Sequence, residues 1–226
     1  MRISGTPDRD GFSLTVPVRC PSTGKSRLAA ELNGPLAARQ QLAEALARDT
    51  LEAAARCPAV TRLLLVTDDP GWTAGLPGEV LVQSRPGLTA AVQEGIAALG
   101  DAPRTAVMLG DLPALRPEDL GAALRLAARV PLGYVPDRAG TGTVLITAAA
   151  PARHRPQFGP SSARLHDEVG CTDLGIPATS ALRCDADTLA DLRAAAGIGL
   201  GPATAVAAHE LGLIAARAPS PAGAPA

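Results

Sequence analysis

Apolar and polar positions follow two rhythms along this chain. Short, nearly unbroken apolar runs stand at residues 13–18, 60–67, 79–82 and 105–109. A further pair, 132–135 and 143–147, flanks a glycine-rich turn. Between these runs lie longer stretches with apolar residues three or four apart, at 36–56, 88–99, 117–129 and 188–196. The first rhythm predicts strands and the second helices. Pro58 stops the long Ala/Leu helix, and Pro117 suits the first turn of another. The run Val-Thr-Arg-Leu-Leu-Leu-Val-Thr at 60–67 predicts a strand buried on both faces. Residues 182–184 read as one more short extended piece.

Alternating strands and helices imply an α/β domain, a mostly parallel sheet with helices on both faces. In such sheets ligands bind beyond the carboxyl ends of the strands, near a switch in strand order. Arg19, Asp68, Asp111 and Asp137 each follow an apolar run directly. The domain should span 12–215. Residues 1–11 are polar and predict a loose arm, and 216–226 predict a disordered tail. No internal repeat is visible.

Composition narrows the picture. Of 226 residues, 46% are hydrophobic but only 2% aromatic, so the core must be built from Leu, Val, Ile and Ala. A net charge of -1 leaves no broad basic field for nucleic acid or an anionic membrane. Cysteines 20, 57, 171 and 184 form no C-x-x-C pair and have no histidine at zinc-ligand spacing, which predicts buried free thiols in a reducing compartment. There is no secretory apolar segment and no run near the roughly 20 residues that span a bilayer. The expectation is a soluble, cytoplasmic protein.

Candidate chemistry gathers at a few places. Gly24-Lys25-Ser26-Arg27 is only part of a Walker A loop, yet it sets Lys25 and Arg27 on a loop after the first strand. Such cations suit phosphate, although a solvated basic loop would look the same. In Leu109-Gly110-Asp111-Leu112-Pro113, a lone carboxylate ends an apolar strand, fit to hold Mg²⁺ or to cap a turn. Cys184-Asp185-Ala186-Asp187-Thr188 supplies more carboxylates, with Asp185 the better metal ligand and Asp187 the expected helix cap. Gly140-Thr141-Gly142-Thr143 lets amides and hydroxyls approach an anion, or simply closes a hairpin. Phe158-Gly159-Pro160-Ser161-Ser162 reads as an anion seat if Ser161 or Ser162 opens a helix, with His166 nearby as a packed or a functional residue. Gly87-Leu88-Thr89 opens a helix after a strand and suits a base or ribose.

Collected in order, these segments resemble the CofC/FbiD family, the 2-phospho-L-lactate or phosphoenolpyruvate guanylyltransferases of coenzyme F-420 biosynthesis. That family sits within the MobA-like nucleotidyltransferases, alongside the molybdenum-cofactor guanylyltransferases. The matching residues are Val16-Pro17-Val18-Arg19, Lys25-Ser26-Arg27-Leu28, Gly110 to Leu115, Asp137-Arg138 with Gly140 to Thr143, Phe158-Gly159-x-x-Ser162-x-x-x-His166, and Arg183-Cys184-Asp185-x-Asp187-Thr188. The resemblance implies a single Rossmann-like nucleotidyltransferase domain. It implies Mg²⁺ on Asp111 and Asp185, with Lys25 beside them in catalysis. It implies GTP at Arg19, Lys25, Thr89 and Gly110, and the phosphorylated acid at Thr143, Gly159 and Ser162. It further implies hand-over of the product to the next enzyme of the pathway. Thr89 stands where an asparagine would be looked for. The rival readings are a nucleotidyltransferase for a molybdopterin or sugar phosphate, and a nucleotide-binding protein without turnover.

Overall fold

The computed structural model describes residues 11–22, 28, 31–32 and 35–214. Lys25, Ser26 and Arg27, most of the predicted arm and the predicted tail lie outside the described residues. Seven strands form one sheet: β1 (Phe12–Pro17), β2 (Val60–Thr67), β3 (Glu79–Val82), β4 (Thr105–Met108), β5 (Leu132–Pro136), β6 (Thr143–Ala148) and β7 (Thr172–Asp173). Their order is β3-β2-β1-β4-β6-β5-β7. β1 pairs in parallel with β2 and β4, and β2 with β3. β6 runs antiparallel to both β4 and β5.

Six α-helices lie among the described residues: α1 (Leu36–Ala55), α2 (Leu88–Ala98), α3 (Pro117–Ala127), α4 (Ser162–Glu168), α5 (Leu189–Ile198) and α6 (Pro202–Glu210). The alternation of side chains along each strand decides what covers which face. Leu14, Val16, Leu65 and Met108 pack with Leu51 and Ala54 of α1 and Leu120 and Leu124 of α3. The opposite face buries Leu64 and Val66 against Ala91 of α2, and Val107 and Ile146 against Ala163 of α4. The core is aliphatic, and all four cysteines are buried thiols. No helix of the described residues is long and apolar enough to cross a membrane.

Three expectations change. β2 is buried only from Leu63 onward. Its first half precedes the register with β3, which pairs only with Leu64 to Thr67, and there Arg62 donates to Glu79 at 3.0 and 2.8 Å. The segment predicted as extended at 182–184 is instead a 3-10 turn over Ala181–Arg183, started by Ser180, whose hydroxyl accepts the Leu182 N–H. Asp187 does not cap α5. Thr188 does, in a reciprocal box with Asp191. Two elements carry no clear periodic signal: the two-residue β7, and α6, whose amphipathic pattern is weak.

α6 is instead held from outside. The Asp49 carboxylate of α1 accepts the N–H groups of Ala203 and Thr204 at 3.1 and 2.7 Å, a capping role supplied by another helix. The next residue, Thr50, accepts the Leu112 N–H at 2.9 Å. Neighbouring residues of α1 thus fasten both α6 and the loop that follows β4.

Candidate active site

The chain reverses its direction of sheet growth beside β1. It adds β2 and β3 on one side, then crosses to lay β4 on the other. That switch point opens a cleft of about 1020 Å³ at the carboxyl ends of the parallel strands. Arg19 and Cys20 follow β1, Asp68 follows β2, and Gly110 and Asp111 follow β4, all lining the cleft. Because β6 is antiparallel, its first residue, Thr143, lies at this same edge and also lines it. Gly110 is required by a close approach: a Cβ there would come 2.2 Å from Val18 Cγ1.

The middle of the cleft is acidic. Asp111, Asp185 and Asp187 line it together. The Asp185 segment is tied to the Asp111 loop by the Ala186 N–H, donating to the Asp111 carbonyl at 3.0 Å. It is tied to β5 by Arg183, whose guanidinium donates to the Asp137 carbonyl at 2.7 and 3.0 Å and to the Ile176 carbonyl at 2.7 Å. Burial, then the charge of Asp187, pushes the Asp111 carboxyl up to about 6. Burial, then the charges of Asp111, Asp137 and Asp187, pushes Asp185 up to about 7. Asp111 Oδ1 is fully buried and has no hydrogen-bond partner among the described residues. A buried carboxylate oxygen with no donor, beside another carboxylate, fits a divalent cation. No three side chains among the described residues form a ready metal cage.

The cleft's two ends differ. Toward β2 it is walled by Arg19, Cys20, Asp68, Gln83, Pro86, Gly87 and Leu88. The Cys20 N–H donates to Asp68 Oδ1 at 2.7 Å, closing the gap between the ends of β1 and β2. Toward β5 and β6 it is walled by Asp137, Thr141, Gly142, Thr143, Gly159 and Ser162. There the Asp137 carboxylate accepts the N–H groups of Thr141 and Gly142 at 2.9 and 2.8 Å, shaping the glycine turn. The turn from Gly159 to α4 passes through two left-handed residues, Gly159 at φ 134° and Ser161 at φ 58°. Ser161 sits at the cap position without a side-chain cap bond, and Ser162 is buried at the start of α4.

Of the residues expected from the sequence, the fold brings Arg19, Gly110, Asp111, Thr143, Gly159, Ser162 and Asp185 to one cleft. Thr89 is not among the residues that line it. It lies exposed in the first turn of α2, while its neighbours Gly87, Leu88 and Ala91 face the cleft. Lys25 lies outside the described residues. The sequence reading passed over Gln83 and Pro86, and gave Asp68 no role. The position of Asp68 directly after an apolar run was the available signal.

No protein-family model matches the chain. Close relatives do. The phosphoenolpyruvate guanylyltransferase of Thermomonospora curvata is 43% identical over 207 residues, spanning 88% of this chain and 90% of that protein. The enzyme of the same name from Salinispora arenicola is 43% identical over 201 residues, spanning 86% and 92%. That from Streptomyces coelicolor is 40% identical over 207 residues, spanning 88% and 97%. Among solved structures, a protein described as a nucleotide-diphospho-sugar transferase from Desulfovibrio desulfuricans superposes with a TM-score of 0.65 at 16% identity, covering 89% of this chain and 96% of that one. A nucleotidyl transferase from Methanothermobacter gives 0.50 at 18% identity, covering 83% and 98%. At such identities these two speak for the fold alone. The relatives that match nearly end to end carry the assignment: the chain belongs to the phosphoenolpyruvate guanylyltransferase family.

Proposed function

We propose that this chain transfers the guanylyl group of GTP to phosphoenolpyruvate and releases pyrophosphate, as a step in the biosynthesis of coenzyme F-420. One observation carries the reading: two half-buried carboxylates, Asp111 and Asp185, the first with a buried oxygen that has no donor among the described residues, line one cleft whose two ends differ in chemistry. GTP takes the end beside Arg19 and Asp68. The small acid takes the end beside Thr143, Gly159 and Ser162. A phosphate oxygen of the acid attacks the α-phosphorus of GTP. The new P–O bond forms as the bond to the β-phosphate's bridging oxygen breaks, and that electron pair leaves with pyrophosphate.

The nucleophile needs no general base, because a phosphate monoester's second pKa is about 6. The histidine near this end is unsuited to that work. Burial holds His166 down to about 4, so its ring stays neutral. The obstacle is repulsion between two polyanions. Asp111 and Asp185 would hold Mg²⁺, which supplies neutralising charge for the phosphates when bound. The chain itself contributes alignment: the hydroxyls of Thr143 and Ser162 donate to the acid and fix its line of approach. GTP and the acid are cytoplasmic metabolites, which sets the reaction there. The product, a phosphoanhydride, is then handed to the next enzyme.

The test is direct. The purified chain is incubated with GTP, Mg²⁺ and either phosphoenolpyruvate or 2-phospholactate, and both pyrophosphate and product mass are followed. A guanylylated phosphoenolpyruvate is expected. Turnover with only 2-phospholactate would reassign the acid, and no pyrophosphate with either acid would refute the reading.

A further inference from the structure

Residues 162 and 166 lie one turn apart on the same face of α4, which carries them to the start of β6. The His166 ring is fully buried between Tyr134, stacked at 5.9 Å, and Phe158, edge-on at 5.6 Å. Both ring nitrogens are engaged. Nε2 lies 3.0 Å from the Gln157 backbone nitrogen, and Nδ1 lies 2.9 Å from the Thr143 hydroxyl. A backbone N–H can only donate, so Nε2 must present its lone pair. The neutral ring has one proton, and it therefore sits on Nδ1. Nδ1–H then donates to Thr143 Oγ1, and that oxygen cannot donate back.

We propose that His166 is a positioning residue that fixes the polarity of the Thr143 hydroxyl, so that its O–H proton is directed to the anionic acid. Among the described residues nothing takes up that proton, and Thr143 lines the cleft. The arrangement matters because a hydroxyl is ambivalent. If Thr143 donated to the histidine, its lone pairs would face the incoming carboxylate or phosphate and repel it. Burial, which holds the ring neutral across the working pH range, keeps this polarity fixed. The inference rests on the reading of Thr143 as part of the acid's seat.

Steady-state kinetics of the full chain with GTP, Mg²⁺ and phosphoenolpyruvate test it. Thr143→Val should raise the KM for the acid by about tenfold to a hundredfold and leave the KM for GTP unchanged. His166→Gln can still accept the Gln157 N–H but places no donor near Thr143, so it should raise the acid's KM by a similar factor. His166→Asn keeps a donor where Nδ1 stands and should recover most of the affinity, although it loses the Gln157 bond. In the Thr143→Val background, His166→Gln should add nothing further. The opposite order, with Asn worse than Gln, would show that His166 merely fastens the 157–161 loop and would overturn the proposal. Additive losses in the double variant would overturn it as well. A Thr143→Val enzyme with unchanged acid kinetics would remove Thr143 from the seat, and the proposal with it. Should the histidine variants not fold, ¹⁵N shifts of the unaltered protein's ring still decide. An Nδ1–H tautomer is expected at His166, and an Nε2–H tautomer or an imidazolium would refute the assignment.

Discussion

Asp111 and Asp185 bear a cost when both are ionised. Each carboxyl is raised by burial and by its acidic neighbours, to about 6 and about 7. A carboxyl whose folded pKa exceeds its unfolded value makes the native state bind more protons across that window. Its contribution to stability is fully present below the unfolded value near 4 and is lost as pH rises through the folded one. Without divalent metal, Asp111→Asn and Asp185→Asn should therefore melt several degrees higher than the parent at pH 8, with the gap closing toward pH 5. Thermal denaturation in a chelator at both pH values reads this directly. If Asp111 and Asp185 hold Mg²⁺ as proposed, the same variants should lose about a hundredfold or more in turnover. Variants that gain stability yet keep activity would separate these acids from the chemistry. At the end proposed for the acid, Ser162→Ala should remove a donor to a charged group, worth roughly 1.5–3 kcal/mol. The KM for phosphoenolpyruvate should rise by about tenfold to a hundredfold while that for GTP stays put. At this scale the sequence was legible where a residue's type and neighbours define its task, as in Gly110-Asp111 after an apolar strand. It was not legible for Asp187, because the choice between Asp187 and Thr188 as cap depends on where the helix begins. The helix begins at Leu189, and Thr188 takes the cap with Asp191.

Among the elements, α1 does more than cover the sheet. Thr50 donates to the Leu46 carbonyl at 2.8 Å and accepts the Leu112 N–H at 2.9 Å. Asp49 receives the first N–H groups of α6, and the Gly201 N–H donates to the Pro113 carbonyl at 2.7 Å. The loop after Asp111 is therefore clamped between α1 and the entry to α6. Thr50→Val leaves a buried N–H unpaired, a cost of about 1–3 kcal/mol. Its melting temperature should fall by roughly 2–10 °C, and turnover should drop more than GTP binding does, because the loss falls on the placement of Asp111. Loss of stability with turnover per folded molecule unchanged would mean that the clamp serves the fold alone. Long helices and buried strands were legible, since their apolar periods survive averaging over ten or more residues. The Ala181–Arg183 turn was misread as extended because three residues carry no period, and its form is set by the Ser180 cap and by the bonds that Arg183 makes to β5 and to Ile176.

For the whole molecule, the cleft lies where strands from both halves of the sheet end together, so ligands that fill it should stabilise the folded chain as one unit. GTP with Mg²⁺ at about a hundred times its Kd should add roughly 2.7 kcal/mol, or on the order of 5–10 °C in melting temperature. The shift should shrink sharply in Asp111→Asn, and differential scanning calorimetry checks both. An equal shift in the variant would place the nucleotide away from the acids. The sequence by itself determined the α/β class, the strands and main helices, the aliphatic core and most of the residues that meet in the cleft. It could do so because local periodicity and short motifs carry that information. The tertiary structure alone decided that β6 inserts between β4 and β5 and delivers Thr143 to the same edge as Asp111. It alone decided that Thr89 faces away while Asp68 faces in, and that Asp49, Thr50 and Arg183 brace the acidic loops. Those outcomes depend on which strands become neighbours and on hydrogen bonds between residues far apart in the chain, and no local pattern encodes either.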